Sequence, residues 1–127
     1  MSNCVLDASA LLALLNAEKG ADQVQELLPQ AAISTVNLAE VVTRLSILKM
    51  PENEIHSTLT GLALKVLPFD EEQAFLAGIL SEATRPLGLS LGDRACLALA
   101  LTTSATAVTA DRAWLDIDIG VNITLIR

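Results

Sequence analysis

Short apolar segments alternate with longer helical segments along the whole chain, and this alternation restricts the fold more than any other feature of the sequence. The predicted strands are 2–7, 31–34, 64–67, 105–109 and 123–126. The predicted helices are 8–15, 21–28, 35–48, 51–62, 71–84 and 90–103, with a loop at 85–89 and a short turn or helix at 111–115. The strands are apolar on both faces, so each face needs a covering layer of helices. The sequence therefore predicts an α/β fold, a three-layer α/β/α sandwich with a mainly parallel central sheet.

Polar residues mark where several of these helices begin. Ser34 or Thr35 opens the third helix, and both residue types are favoured N-caps. Asp70 caps the fifth helix, and Gln73, three residues later, is expected to complete a capping box. These signals place helix starts independently of the apolar pattern.

The composition is that of one domain, predicted to span 1–127. Apolar residues make up 52% of the chain, yet there are only two Phe and one Trp, so the core is expected to consist of Ala, Leu, Ile and Val. Cys4 and Cys96 show no disulfide pattern, which predicts reduced thiols and a cytoplasmic protein. The start of the chain lacks the features of a signal peptide, and no apolar run is long enough to cross a membrane.

Four carboxylates occur at the ends or starts of apolar elements, where a core-forming chain has little use for them. Asp7 follows the first strand, Glu40 interrupts the third helix, Asp93 lies near the start of the last helix, and Asp111 follows the fourth strand. Acidic residues are rarely buried unless a partner offsets their charge. Because ligand sites of α/β sheets gather at the carboxyl ends of strands, these acids predict one shared cation site. Oxygen ligands alone favour Mg²⁺ or Mn²⁺.

Each of three acids also has a simpler interpretation. Asp7 could only cap the helix that follows it, and Asp111 could cap the turn after the fourth strand. Ser90 and Asp93 have the spacing of a capping box, so Asp93 could only stabilise a helix start. These alternatives remain open from the sequence alone.

Glu40 is harder to explain by capping. Asn37, Glu40 and Arg44 form one narrow polar stripe on the third helix, with apolar residues on both sides. An ion pair of Glu40 with Arg44 on a solvated surface would be worth only a few tenths of a kcal/mol. The flanking apolar residues favour a stripe that faces a cleft.

Other polar residues carry weaker signals. Asp116 follows Asp111 closely, but a solvated loop is the simpler interpretation. His56 has no second His or thiolate nearby and is a poor zinc ligand. Ser9 and Thr109 each lie two residues from a candidate acid, where a hydroxyl could support a metal-bound water or bond the local backbone.

The net charge of −7 argues against general binding of nucleic acid, because affinity for a polyanion comes mainly from Lys and Arg. Any such contact must be local, with the charge offset by bound cations and by a few arginines. Arg94 and Arg112 are the best candidates because each directly follows a candidate acid. The alternative role of each is an ion pair within the cluster or with a neighbour.

Four short segments, taken in order, resemble the PIN-domain nucleases and, within them, the VapC-type toxins of toxin–antitoxin pairs. The segments are VLDASA at 5–10, NLAEV at 37–41, LSLGDRACLA at 89–98 and TADRAW at 109–114. Each segment alone is weakly specific, but their order and spacing cover nearly the whole chain. The resemblance implies a single PIN-like nuclease domain.

The resemblance also implies a function, that of a Mg²⁺- or Mn²⁺-dependent endoribonuclease in which metal-activated water hydrolyses the phosphodiester. Asp7, Glu40, Asp93 and Asp111 match the acidic quartet, with Asp7 and Asp93 as the expected direct metal ligands. No side chain need act as a covalent nucleophile. Four clustered carboxylates repel one another, so at least one is expected to have a raised pKa.

Further implications concern supporting residues and partners. Ser9 and Thr109 match hydroxyl positions beside the quartet, and Asp116 is the nearest match to a fifth acid. The implied partners are an RNA substrate, a cognate antitoxin whose tail blocks the cleft, and a second copy of the chain, with no membrane.

Three other classes of protein share part of this pattern. A phosphatase of the haloacid-dehalogenase type needs a second Asp two residues after the first, where this chain has Ser9. A receiver-type signalling domain needs a lysine after a late strand, and the segment before Asp111 offers none. A catalytically inert PIN-like module that only binds RNA or protein remains possible, although the intact quartet argues against it.

Overall fold

Strands and helices alternate through the computed structural model, which describes residues 3–127. The strands are β1 (Cys4–Leu6), β2 (Ala31–Ser34), β3 (Lys65–Leu67), β4 (Thr106–Thr109) and β5 (Ile123–Leu125). The helices are α1 (Ala8–Leu15), α2 (Ala21–Leu27), α3 (Thr35–Ile47), α4 (Glu52–Thr60), α5 (Glu71–Thr84) and α6 (Leu91–Thr103). Short 3-10 turns occupy Leu28–Gln30, Arg85–Leu87 and Arg112–Asp116.

The five strands form one parallel sheet in the order β3-β2-β1-β4-β5. The chain builds outwards from β1 through β2 and β3, and then returns through α5 and α6 to place β4 on the other side of β1. In register, Leu6 pairs with Ile33 on one side and with Val108 on the other. The direction in which the chain adds strands therefore reverses between β1 and β4. The crevice at the carboxyl ends of these two strands is where such folds bind ligands.

Helices cover both faces of the sheet, because neighbouring residues of a strand point to opposite faces. Leu6 of β1 packs in a core with Leu11 of α1 and Val41 of α3. The preceding residue, Val5, packs in a second core with residues of α5 and α6, including Leu97. The predicted three-layer sandwich and parallel sheet are confirmed, and Ala, Leu, Ile and Val dominate both cores. Trp114 is the one large aromatic side chain that is fully buried among residues 3–127.

The predicted elements all exist, with small differences at their ends. The first strand was predicted from residue 2, but residues 1 and 2 lie outside the described part of the chain, and the strand covers Cys4–Leu6. The helix predicted at 51–62 begins and ends inside that range, because Pro51 lies before its first turn in an extended conformation.

The capping box predicted at the start of α5 is wrong in one half. Asp70 accepts a hydrogen bond from the amide of Gln73 as expected. The Gln73 side chain does not return to the Asp70 amide; its Nε2 donates instead to the carbonyl of Pro68, at 3.3 Å. The glutamine side chain is long enough to hydrogen-bond a carbonyl of the preceding loop instead of the cap residue.

None of the helices formed by residues 3–127 is both long enough and apolar enough to span a bilayer.

Candidate functional site

Asp7 lies at the junction of β1 and α1 and is 4% exposed. Its Oδ1 accepts hydrogen bonds from the Ala10 amide at 2.8 Å and from the Ser9 hydroxyl at 2.7 Å. Its Oδ2 accepts a bond of 2.6 Å from the Thr109 hydroxyl. Asp7 is therefore the N-cap of α1, as the simpler interpretation held, but it is also tied to the neighbouring strand.

Two hydroxyl groups connect Asp7 to the end of β4. Thr109 Oγ1 donates to Asp7 and accepts a hydrogen bond from the amide of Asp111 at 3.0 Å. Ser9 Oγ donates to Asp7 and accepts from the amide of Ala110 at 2.9 Å. Both hydroxyls thus direct their protons towards the carboxylate and hold the segment after β4 against the start of α1.

The pKa of Asp7 is raised from 3.8 to about 6, and its burial is the main cause. The bonds from Thr109, Ser9 and the Ala10 amide each lower the pKa, and the nearby charge of Asp93 raises it slightly. At least one acid of the cluster was expected to have a raised pKa, and Asp7 has one. The expected cause, repulsion between carboxylates, is wrong as the main cause. Removal from water contributes more than repulsion between carboxylates.

Glu40 projects from α3 towards the first turn of α6. Its Oε1 accepts a hydrogen bond of 2.8 Å from Nδ2 of Asn37, which also donates to the carbonyl of Gly92 at 3.0 Å. Glu40 is exposed, whereas Asn37 is 1% exposed. The structure gives Glu40 no ion pair with Arg44, because the one salt bridge within residues 3–127 joins Arg127 to Glu18.

Glu40 also borders a groove of about 840 Å³ that runs along the outer side of α3. Arg44 and Phe69 are among the other residues that line this groove. Two members of the predicted polar stripe, Glu40 and Arg44, therefore line a concave surface, whereas Asn37 is buried against Gly92.

Asp93 and Asp111 both cap the starts of helical segments. Asp93 Oδ2 accepts from the Ser90 amide at 2.9 Å, and the Ser90 hydroxyl accepts from the Asp93 amide, which completes a capping box. Asp111 Oδ1 accepts from the Ala113 amide at 3.0 Å. In each residue the cap occupies only one of the two carboxylate oxygens.

The buried thiol of Cys96 shows which acids lie together. Its pKa is raised well above the usual value, first by burial and then by the charges of Asp7, Asp93 and Glu40. Three acids from different elements therefore lie near enough to this side of α6 for their charges to act on one thiol. The backbone amide of Asp111 donates to the Thr109 hydroxyl, which places Asp111 beside Asp7, whereas Asp116 lies exposed at the end of the following 3-10 turn.

The donor chemistry of this acid cluster (Asp7, Glu40, Asp93 and Asp111) fits a hard divalent cation, because every donor is an oxygen. Asp7 uses three of the roughly four acceptor positions of a carboxylate within the described chain, which leaves one for a cation. No three His, Cys, Asp or Glu side chains among residues 3–127 are close enough to hold one ion as they stand. The residues supply suitable ligands, since Mg²⁺ usually takes only one or two carboxylates from a protein and keeps several waters.

The two arginines beside the acids have different surroundings. Nη1 of Arg94 donates to the carbonyl of Ala77 at 2.8 Å, so this side chain connects α6 to α5. Arg112 is exposed in the turn after β4. Neither forms an ion pair with a described acid.

Sequence reasoning missed the roles of Asn37 and Gly92. Asn37 stood out as a member of a polar stripe, and its position one turn before Glu40 was the available signal. Its contact with Gly92 spans 55 positions in sequence, and local spacing carries no information about such a contact.

Residues 4–120 match the sequence profile of the PIN domain, so the chain belongs to the PIN-domain family. The resemblance based on the four short segments is thus confirmed at the level of the family. No curated protein matches the chain in sequence.

Solved structures of similar fold include three from bacterial complexes. One is a toxin–antitoxin complex from Klebsiella pneumoniae, with 20% identity, a TM-score of 0.76 and coverage of 98% of both chains. A DNA-bound VapBC from Salmonella typhimurium has 18% identity, a TM-score of 0.76 and coverage of 100% of both chains. FitAcB from Neisseria gonorrhoeae has 21% identity, a TM-score of 0.75 and coverage of 97% of both chains. At these identities the similarity establishes the fold.

Proposed function

We propose that the protein is a Mg²⁺- or Mn²⁺-dependent endoribonuclease and the toxin of a toxin–antitoxin pair, acting in the cytoplasm. The observation that carries the proposal is that hydrogen bonds through Thr109 and Asn37 bring the four acids to the carboxyl ends of β1 and β4 and the adjoining start of α6. Membership of the PIN-domain family and the toxin–antitoxin complexes among the similar folds support the same function.

The acid cluster would hold the cation, with Asp7 and Asp93 as direct ligands and with Glu40 and Asp111 as direct or water-linked ligands. When bound, such an ion supplies a nucleophilic water and offsets charge on the phosphate. The chain's own contribution is to keep the carboxylates in place. Ser9 and Thr109 serve this purpose at Asp7 because their hydroxyls donate to its two oxygens.

The nucleophilic side chains beside the described acids are poorly placed for covalent catalysis. The thiol of Cys96 is fully buried, and its raised pKa keeps it protonated. The hydroxyls of Ser9 and Thr109 already donate to a carboxylate. Hydrolysis by water therefore fits the site better than a covalent intermediate.

RNA contacts on so acidic a protein must be few and local. We propose Arg112 as the better phosphate contact, because it is exposed beside Asp111. Arg94 also follows an acid in sequence, but its guanidinium is engaged by the carbonyl of Ala77.

Cleavage of total RNA tests the proposal. The wild-type protein should cut RNA with Mg²⁺ or Mn²⁺ and should not cut it with EDTA. Asp7→Asn and Asp93→Asn should lower the rate by several orders of magnitude with an unchanged circular dichroism spectrum. Full activity in EDTA, or in Asp93→Asn, would refute a metal-dependent nuclease.

An antitoxin partner is proposed because similar folds include a toxin–antitoxin complex and a member of the VapBC family of toxin–antitoxin systems. The chain also has an apolar pocket of about 490 Å³ between α3 and α4, lined by Leu38, Val42 and Leu59 among others. Such a pocket suits apolar side chains of a bound peptide. The test is whether the product of a small reading frame beside the gene co-purifies with this protein and stops RNA cleavage.

A homodimer is proposed from the exposed surface of α5. Phe75 and Ile79 are 68% and 72% exposed and lie one turn apart, so they form an apolar strip. Light scattering of wild type and of Phe75→Glu with Ile79→Glu would test this: a dimer should become a monomer. A wild-type monomer at micromolar concentration would refute it.

A catalytically inert binding module is the second candidate. The observation in its favour is that Asp93 and Asp111 already serve as helix caps and that no three described acids stand ready to share an ion. Under this alternative, RNA remains intact with every metal, and Mn²⁺ fails to stabilise the fold.

A further inference from the structure

Asn37 contacts two separate parts of the candidate site through one amide group. The two hydrogens of its Nδ2 are directed to Glu40 Oε1 at 2.8 Å and to the Gly92 carbonyl at 3.0 Å. Asn37 is 1% exposed, so its amide group is shielded from water although the Glu40 carboxylate is exposed. The amide therefore joins the Glu40 side chain of α3 to the first turn of α6.

The oxygen of the same amide contributes nothing that stabilises the fold. Oδ1 of Asn37 is buried and has no hydrogen-bond partner within residues 3–127. Leaving a buried polar atom unsatisfied destabilises a fold, because the atom loses its bonds to water and gains none in return. A leucine of similar size would remove this cost, and the Gly92 carbonyl would keep its place in the hydrogen-bond ladder of α6. The asparagine is thus poorly explained by stability alone, and local rules of this kind are broken mostly at functional sites.

Gly92 is the second half of the arrangement. A methyl group added at Gly92 would overlap Oε2 of Glu40 and would lie 2.6 Å from its Cδ. The absence of a side chain at this position lets the carboxylate lie against the helix start. The positive end of the α6 dipole favours a carboxylate there.

We infer that Asn37 and Gly92 together form a clamp that positions the carboxylate of Glu40 for metal binding, an inference that rests on the proposed function. Asn37 is a positioning residue, because it acts on the cation through Glu40. A free glutamate side chain loses rotamer entropy when it is fixed. The clamp meets that cost through the fold itself, since the two contacts hold Glu40 against the start of α6.

Two substitutions test the clamp by different routes. Asn37→Leu removes the donor, and Gly92→Ala fills the space that the carboxylate occupies. Gly92→Ala keeps the inference testable if Asn37→Leu fails to fold, because only the flexible end of Glu40 must move and alanine is the better helix former.

Two matched controls lie away from the clamp. Gln73 is also a buried amide with an unpartnered oxygen among the described residues, and its Nε2 donates only to a loop carbonyl. Gly78 lies in α5 with open space where a Cβ would be. Gln73→Met and Gly78→Ala therefore repeat the chemistry of the two test substitutions elsewhere.

The measurements are Mn²⁺ affinity by isothermal titration, the melting temperature in EDTA, and RNA cleavage. Asn37→Leu and Gly92→Ala should weaken Mn²⁺ binding and slow cleavage by about 10- to 100-fold, the usual effect of losing a partner that orients a metal ligand. Their melting temperatures in EDTA should stay the same or rise. The controls should bind Mn²⁺ as wild type does. In a Glu40→Ala background, Asn37→Leu should weaken binding no further.

Unchanged Mn²⁺ affinity in Asn37→Leu and Gly92→Ala, with normal binding by wild type, would overturn the clamp and leave the proposed function standing. The same holds if Asn37→Leu weakens binding equally in the Glu40→Ala background. A wild-type protein that neither binds Mn²⁺ nor cuts RNA would overturn the proposed function, and the clamp with it.

Discussion

Thr109 donates a hydrogen bond of 2.6 Å to Oδ2 of Asp7 and so joins the carboxyl ends of β4 and β1, the two strands between which the strand order reverses. This bond acts against burial, because it favours the charged form of a carboxylate that is 4% exposed. The same hydroxyl accepts the amide proton of Asp111. One threonine therefore affects two acids of the site.

Replacing Thr109 by valine should destabilise the metal-free protein in a pH-dependent manner. The substitution keeps the shape and removes the hydroxyl, so the pKa of Asp7 should rise further. A hydrogen bond to a charged group contributes about 1.5–3 kcal/mol, and that much should be lost at pH 8, where Asp7 is ionised. Urea unfolding in EDTA at pH 8 and pH 4.5 measures the loss.

The loss from Thr109→Val should be smaller at pH 4.5, where most Asp7 is protonated. Thr109→Ser retains the hydroxyl and is the matched control. Equal losses at both pH values would mean that the hydroxyl matters to packing and not to the charge of Asp7.

The stability of the metal-free protein should depend on the ionisation of Asp7. Its pKa in the fold, about 6, lies above its usual value of 3.8. Protonated Asp7 therefore contributes to the free energy of unfolding. This contribution is fully present below about pH 3.8 and is lost as the pH rises through 6. At about 1.36 kcal/mol per pKa unit, the loss is about 3 kcal/mol.

Asp7→Asn isolates this effect, because asparagine caps a helix as well as aspartate does and does not ionise. In EDTA, the unfolding free energy of Asp7→Asn should increase relative to that of the wild type between pH 4 and pH 7. The measurement is denaturant unfolding of both proteins across that range. A difference that is constant with pH would contradict the raised pKa.

The sequence predicts the order of elements and the location of the site, because both depend on local patterns. Apolar segments and caps such as Ser90 with Asp93 are read from neighbouring residues, and the structure contains them. The carboxyl ends of β1 and β4 come together by the general topology of parallel sheets. Asp7 and Asp111 could therefore be assigned to one region without coordinates.

Burial and long-range contacts could not be predicted in this way. Asp7 and Asp111 look alike in sequence, each after a short strand, yet the first is buried and the second is exposed. The difference arises because Asp7 directly follows the central strand, whereas Asp111 lies two residues beyond β4. Two hydrogen bonds likewise depend on how segments pack: that of Asn37 with the Gly92 carbonyl and that of Gln73 with the Pro68 carbonyl.

Divalent metal should stabilise the wild-type protein more than Asp7→Asn. A cation that binds only the folded state adds about 2.7 kcal/mol at a concentration 100 times its dissociation constant. Asp7→Asn should lose most of this gain, because the buried carboxylate is replaced by a neutral amide. Thermal unfolding of both proteins with EDTA and with Mn²⁺ provides the comparison. Equal stabilisation of the two would exclude Asp7 as a ligand.

The two arginines that follow site acids should differ in what their loss affects. Arg112 is exposed, so Arg112→Ala should weaken RNA binding and reduce the salt dependence of binding by about 0.7 in log–log slope for one lost phosphate contact. Arg94 donates to the Ala77 carbonyl, so Arg94→Ala should lower the melting temperature and leave the slope unchanged. Both are measured in an Asp7→Asn background, so that the RNA stays intact during titration. If Arg94→Ala changes the slope and Arg112→Ala does not, Arg94 is the residue that contacts phosphate. Its hydrogen bond to the Ala77 carbonyl then does not prevent that contact.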